Sequence, residues 1–64
     1  MTKPAEMTDR VFDLIASGVT EGLRIFHILK AEGWPEVVNS TPVAFYGWLR
    51  DRGFTVMGDG QVSL

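Results

Sequence analysis

Three glycines divide most of this 64-residue chain into helical segments. Gly18, Gly33 and Gly53 each follow a stretch in which apolar residues recur three or four positions apart, the period of an amphipathic helix. Glycine is also the residue most often found just beyond a helix end. The chain is therefore expected to contain three helices, over residues of about 4–17, 20–32 and 41–52.

Threonine residues mark the predicted helix starts. Either Thr2 or Thr8 is expected to cap the first helix and Thr20 the second, because a threonine hydroxyl can accept a hydrogen bond from an unpaired N–H group of the first turn. The third start is the clearest. There Thr41 precedes Pro42, a residue type that suits the first helical position because it has no N–H group to leave unpaired.

The chain contains no cysteine, so its stability must come from the packing of apolar side chains. On the third helix, a rotation of about 100° per residue places Phe45, Trp48 and Leu49 on one face, with Tyr46 at its edge. This face is expected to point into the core. The other aromatic residues expected in the core are Phe12, Phe26, Trp34 and Phe54.

The end of the chain has the pattern of a β-hairpin. The segments FTVM and QVSL read as short strands, and the intervening GDG supplies the positive φ values that a tight turn needs. Residues 33–40 are expected to form a turn or an extended connection before the third helix. The sequence thus predicts one domain over residues 1–64 with a mostly helical α+β fold, in which three helices precede a hairpin over residues 54–64.

This order of elements resembles the winged helix-turn-helix superfamily, and the chain is similar in size to small regulators of phages, plasmids and bacteria. The resemblance is carried by the threonine-capped third helix, by the WLRDRGF step out of it and by the glycine-tipped hairpin. It implies a regulator that binds double-stranded DNA as a dimer. The third helix would enter the major groove, and the hairpin would act as a wing on the backbone or minor groove.

The resemblance assigns DNA contacts to the third helix, to nearby polar residues and to the hairpin tip. Arg50 is the best candidate for a base contact, because a guanidinium group can form two hydrogen bonds with a guanine edge. Phosphate contacts are implied for Arg24, Lys30, Ser40, Thr41 and Arg52. The other groove-facing positions are Thr41, Val43, Ala44 and Gly47, and the wing tip is Gly58, Asp59 and Gly60.

The charge and the third helix also support an alternative. Six Lys and Arg against eight Asp and Glu give a net charge of −2, whereas proteins that coat phosphates are usually basic. The small apolar side chains expected on the outer face of the third helix would equally admit another protein. The alternative is therefore a protein-interaction module or inhibitor, or a homodimer, that uses this face and the edge of the hairpin.

No enzyme, cofactor or metal site is expected. His27 is the single histidine, it lies on the polar side of the second predicted helix, and no carboxylate is near it in sequence. There is no cysteine nucleophile, no glycine-rich phosphate loop and no cluster of ligands at metal-binding spacing. No apolar run is long enough to cross a bilayer and the N-terminus does not resemble a secretion signal, so a cytoplasmic location is expected.

Overall fold

The computed structural model describes residues 6–64 and has a mostly helical α+β fold with a small antiparallel hairpin at the C-terminus. The start of the first helix predicted at Thr2 or near residue 4 lies outside this range. Thr8 lies inside the helix and the capping position belongs to Glu6, so the prediction of Thr8 as the cap was wrong. The elements are α1 (Met7–Ala16), α2 (Gly22–Ala31), α3 (Pro35–Val38), α4 (Pro42–Asp51), β1 (Thr55–Val56) and β2 (Val62–Ser63).

The predicted cap of the second helix was also wrong, because Thr20 bonds to the hairpin. The capping position of α2 is held by Glu21. The Thr20 carbonyl accepts a hydrogen bond from Val62 N–H at 2.8 Å, and its hydroxyl donates to Gln61 Oε1 at 2.8 Å. A β-bridge between Glu21 and Gln61 continues this pairing. The residues just before α2 therefore lie along β2, and they are not free to fold over the helix end.

The connection between the second and third predicted helices contains a helix of its own, where a turn or an extended piece was expected. Pro35 occupies the first turn of the four-residue α3, and the amides of Val37 and Val38 both bond to the Trp34 carbonyl. Val37 is fully buried while Val38 is exposed. The short helix therefore turns one valine into the core and leaves the next one at the surface.

The core collects one face of each of α1, α2 and α4. Phe26 and Phe45 meet at its centre with their ring centroids 5.7 Å apart. Two aromatic side chains expected in the core are less enclosed, since Phe12 is 44% exposed and Trp48 is half-buried. Phe12 covers the ring of Phe54 from outside, at a centroid distance of 4.9 Å. The buried residues are Met7, Val11, Leu14, Ile25, Phe26, Leu29, Trp34, Val37, Phe45, Leu49, Phe54 and Val62.

The hairpin pairs Thr55 with Ser63 and Val56 with Val62, and it turns through three residues. The Gly60 amide donates to the Met57 carbonyl at 2.9 Å, and Met57 N–H donates to the Gln61 carbonyl at 2.7 Å. Of the two loop glycines, Gly60 adopts a positive φ, of 92°. This is the three-residue loop in which a type I turn is followed by one left-handed residue.

A polar network fastens α1 to the end of α2. The Arg10 guanidinium donates hydrogen bonds to both oxygens of Glu32, from Nη2 to Oε2 at 2.8 Å and from Nε to Oε2 at 3.0 Å and to Oε1 at 3.1 Å. Oε1 of the same carboxylate accepts a hydrogen bond from Trp34 Nε1 at 2.8 Å. The hydrogen bonds to Glu32 raise the pKa of Arg10 above its usual value. One carboxylate thus holds both a cation of α1 and the indole that begins α3.

Removing this carboxylate should destabilise the fold more than removing an exposed one. We expect Glu32→Ala to lower the free energy of unfolding by about 1–2 kcal/mol, because the side chains of Arg10 and Glu32 are only 29% and 27% exposed and two donors lose their acceptor. Urea unfolding followed by circular dichroism measures the change. Glu36→Ala is the matched control at an exposed site, and equal losses in the two variants would contradict the role given to Glu32.

Candidate nucleic-acid interface

Helix α4 is fixed in the fold by its cap and by its inner face. Thr41 Oγ1 accepts a hydrogen bond from the Ala44 amide at 3.2 Å, and Pro42 occupies the first turn, as predicted. Phe45 is 1% exposed and Leu49 is fully buried, which confirms the predicted inward face. Because the bulky side chains point inward, the opposite side of α4 is presented to solvent.

The outer face of α4 consists of Val43, Ala44, Gly47, Arg50 and Asp51. Val43 is 78% exposed, an unusual position for a side chain with no polar atom. A Cβ atom built on Gly47 would meet no other atom within 4 Å, so nothing in the fold requires a glycine there. Arg50 is exposed at the end of the same strip. The outer face is therefore shallow and apolar over its first two turns, and it carries a guanidinium group next to a carboxylate at its C-terminal end.

Two further cations lie on the helix that packs against α4. Arg24 and Lys30 are exposed on α2, whose Phe26 contacts Phe45 of α4. The Lys30 ammonium group lies 5.5 Å from the centre of the Phe26 ring. Within residues 6–64, neither of these cations nor Arg50 forms an ion pair with a carboxylate. Their charges are thus available to an anionic partner.

Arg52 lies on a different side of α4. Its guanidinium group sits over the Trp48 ring, 5.3 Å from the ring centre. The two residues border an open groove of about 400 Å³ that is also lined by Glu6, Met7, Thr8 and Glu36. A separation of two residues turns Arg52 about 200° from Arg50 around the helix. The structure therefore brings Arg24, Lys30 and Arg50 to exposed sides of packed helices and places Arg52 near two carboxylates instead.

The polar residues before α4 have some hydrogen-bonding capacity left. Thr41 is exposed, and its hydroxyl, already an acceptor for Ala44, retains a proton to donate. The Ser40 hydroxyl is half-buried and makes a long bond of 3.4 Å to the Thr41 carbonyl. Both hydroxyls adjoin the first turn of α4, where unpaired N–H groups and the helix dipole attract anions.

The hairpin tip contributes no positive charge. Gly58 and Asp59 are exposed, while Gly60 is half-buried and its carbonyl accepts the Gly22 amide at 2.7 Å. The Asp59 carboxylate accepts a hydrogen bond from the Gln61 amide at 3.0 Å, so it shapes the turn. Residues 53–64 contain no lysine or arginine. Any contact of this hairpin with a phosphate would have to use N–H groups or hydroxyls.

Charge is distributed unevenly among the helices. The exposed acids Asp9 and Asp13 lie on α1, and Arg10 of that helix is neutralised by Glu32. Within residues 6–64, the cations of α2 form no ion pair and α2 has no acidic residue, whereas α4 carries both a cation and the exposed Asp51. Helix α1 therefore presents an acidic surface and α2 a cationic one, although the chain as a whole is slightly negative.

Sequence reasoning missed two features of this region. Leu23 is 40% exposed beside Arg24, and its spacing from His27 and Lys30 (i, i+4, i+7) was the signal that it shares their polar face. Gly22 is buried against Tyr46 and the hairpin, a contact for which the local sequence carries no signal.

Comparison of the chain with protein-family models, with curated proteins and with solved structures found no match. Among the helices within residues 6–64, none has the length and apolar content required to cross a membrane. The cytoplasmic location remains a prediction from the sequence, as does the expectation that the chain is not an enzyme.

Proposed function

We propose that the chain is a small winged-helix regulator that binds double-stranded DNA, with α4 as its recognition helix and residues 54–64 as the wing. The observation that supports the proposal is the way in which the fold holds α4 and exposes its outer face. The helix is capped by Thr41, anchored by Phe45 and Leu49, open to solvent on its opposite face, and followed directly by a hairpin that pairs with the segment before α2.

The dimensions of α4 suit a DNA groove. Its ten residues span about 15 Å, and the major groove is about 12 Å wide and admits one helix. The small residues Ala44 and Gly47 let the helix axis approach the bases closely. The proposal assigns contacts with flanking phosphates to the exposed Arg24 and Lys30 of the neighbouring helix.

The charge predicts the strength of this binding. With three unpaired cations near the interface and a net charge of −2, a single copy would make few phosphate contacts and bind weakly. A dimer on two half-sites doubles the contacts, which is why we propose dimeric binding. Because Asp59 would repel phosphates, the wing contributes shape and main-chain contacts more than charge.

An NMR titration with mixed-sequence duplex DNA at two salt concentrations tests the proposal. We expect chemical-shift changes at low salt that centre on residues 40–52 and on Arg24 and Lys30, and that shrink as salt rises. The exposed acidic side of α1 should be unaffected and serves as an internal reference. The absence of any response at low salt would refute the DNA-binding proposal.

Two arginine variants should separate base contacts from phosphate contacts. Arg50→Ala should relax sequence preference, with a loss of about 1–3 kcal/mol on the preferred duplex. Arg24→Ala should weaken binding to all sequences alike and reduce the salt-dependence slope by about 1. Fluorescence anisotropy measures both. Ala16→Glu, at an exposed position of α1, changes the net charge by the same amount and should bind nearly as the parent does. If all three variants bind alike, the assigned contacts are wrong.

A second candidate function is a protein-interaction module or inhibitor, and the exposed edge of the hairpin favours it. Val62 donates its N–H to Thr20, away from β1, so Val56 and Val62 form a non-hydrogen-bonded pair. The N–H and C=O of Val56 therefore point outward, where an added strand could bond to them. Met57 and Leu64 are exposed on the same hairpin. Concentration-dependent line broadening without any response to DNA is the result this candidate predicts.

A further inference from the structure

Resting on the proposed function, we infer the base chemistry that α4 reads: Val43 contacts the methyl group of a thymine, and Arg50 pairs with a guanine about three base pairs away. The preferred half-site is therefore defined by one apolar contact and one guanidinium contact on a single helix face.

The first part follows from what the outer face of α4 lacks. Val43, Ala44 and Gly47 have no side-chain donor or acceptor, so the first two turns cannot distinguish bases by hydrogen bonds. The C5 methyl group of thymine is the apolar feature that base pairs present in the major groove. Val43 is 78% exposed in the first turn, and its two methyl groups are thus available for such a contact.

Gly47 supports a close approach at this point. Alanine at this position would meet nothing in the fold, and in a helix interior glycine is less stable than alanine by roughly 0.5–1 kcal/mol. The fold therefore gains nothing from the missing side chain. The missing side chain does favour binding of a macromolecule to the outer face, because the backbone of α4 can then approach it more closely.

The second part follows from the position and freedom of Arg50. Its guanidinium group is exposed and forms no ion pair within the described part of the chain. Seven residues separate it from Val43, which is nearly two full turns, so both side chains leave the helix on the same face. The separation is about 10 Å along the axis, and this corresponds to roughly three base-pair steps of 3.4 Å.

The experiment uses modified bases in the duplex that the chain prefers, identified by selection from a random library. Replacing a thymine by deoxyuridine removes only the methyl group, and replacing guanine by 7-deazaguanine removes only the N7 acceptor. We expect deoxyuridine at one position to weaken binding about fourfold, the effect of one buried methyl group. We expect 7-deazaguanine about three base pairs away to weaken it about fivefold, through the loss of one hydrogen bond.

Two variants assign these effects to their side chains. Val43→Ser should abolish the deoxyuridine effect and keep the 7-deazaguanine effect, while Arg50→Ala should do the reverse. Both positions are exposed, so the variants should fold like the parent. Ala16→Ser, at an exposed site on α1, is the matched control and should retain both effects.

The outcomes separate this inference from the proposed function. If no duplex binds, both fail. If duplexes bind in a salt-dependent manner and no thymine or guanine modification changes affinity, DNA binding stands and the assigned base chemistry is wrong. A deoxyuridine effect that persists in Val43→Ser would likewise overturn the assignment of Val43.

Discussion

Replacing Phe45 with alanine is expected to lower the free energy of unfolding by about 3–5 kcal/mol. The ring is 1% exposed and lies 5.7 Å from Phe26 and 6.0 Å from Trp48, nearly parallel to the latter. Its removal leaves a cavity where α2 and α4 meet, and it removes contacts with three aromatic rings, those of Phe26, Tyr46 and Trp48. A domain of this size has a total stability of only about 3–10 kcal/mol, so the variant should be partly or wholly unfolded at room temperature.

Urea or thermal unfolding followed by far-UV circular dichroism measures this loss. Val43→Ala is the matched control, because it shortens a side chain of the same helix at a position that is 78% exposed. It should change stability by no more than about 0.5 kcal/mol. Similar stability of the two variants would mean that the inner and outer faces of α4 have been assigned the wrong way round.

Gly22→Ala is the second substitution with a large expected effect. An added Cβ would lie 2.8 Å from Cε1 of Tyr46, 2.9 Å from the carbonyl oxygen of Gly60 and 3.2 Å from Cγ2 of Val62. The tyrosine ring can move, but the Gly60 oxygen belongs to the backbone and accepts the Gly22 amide at 2.7 Å. We expect the overpacked junction to cost about 1–3 kcal/mol.

The same chemical change at Gly47 provides the control. Nothing lies within 4 Å of a Cβ at that position, so Gly47→Ala should stabilise the fold by about 0.5–1 kcal/mol through helix propensity. Thermal unfolding measures both the expected loss of stability in Gly22→Ala and the expected gain in Gly47→Ala. Hydrogen exchange at the Gly22 and Val62 amides reports on the contact between α2 and the hairpin. Stability changes of the same sign in the two variants would contradict the close packing of α2 against the hairpin.

The sequence was sufficient where a structure depends on local signals. Helix α4 was predicted almost to the residue, because Thr41, Pro42 and Gly53 act through their own backbone and nearest neighbours. Its buried face followed from the spacing of Phe45 and Leu49. The hairpin followed from two short apolar segments around a glycine-containing turn.

The errors arose where distant parts of the chain compete for the same groups. Thr20 has the chemistry of a helix cap, but its carbonyl and hydroxyl bond to residues more than 40 positions away. A single helical turn such as α3 has too few residues to show the spacing of apolar residues that is typical of a helix. The burial of Val37 depends on contacts with helices that are distant in sequence. Phe12 is apolar, but its ring lies against Phe54 at the surface.

The candidate site was predictable in part for the same reasons. The exposed positions of Arg24, Lys30 and Arg50 followed from helical spacing, while the contact of Arg52 with Trp48 did not. Local spacing does not report which aromatic ring a flexible guanidinium group will cover. The pairing of Arg10 with Glu32 likewise had no local signal, because the two residues are 22 positions apart.

The main-chain bonds from Val62 to Thr20 and from Gly22 to Gly60 make the hairpin and the first turn of α2 a single mechanical unit. A displacement of the loop of residues 58–60 is therefore expected to move the helix that carries Arg24 and Lys30, because the bond from Gly22 to Gly60 connects them directly. A macromolecule that grips this loop also sets the orientation of that helix, and peeling the hairpin away would start by fraying α2.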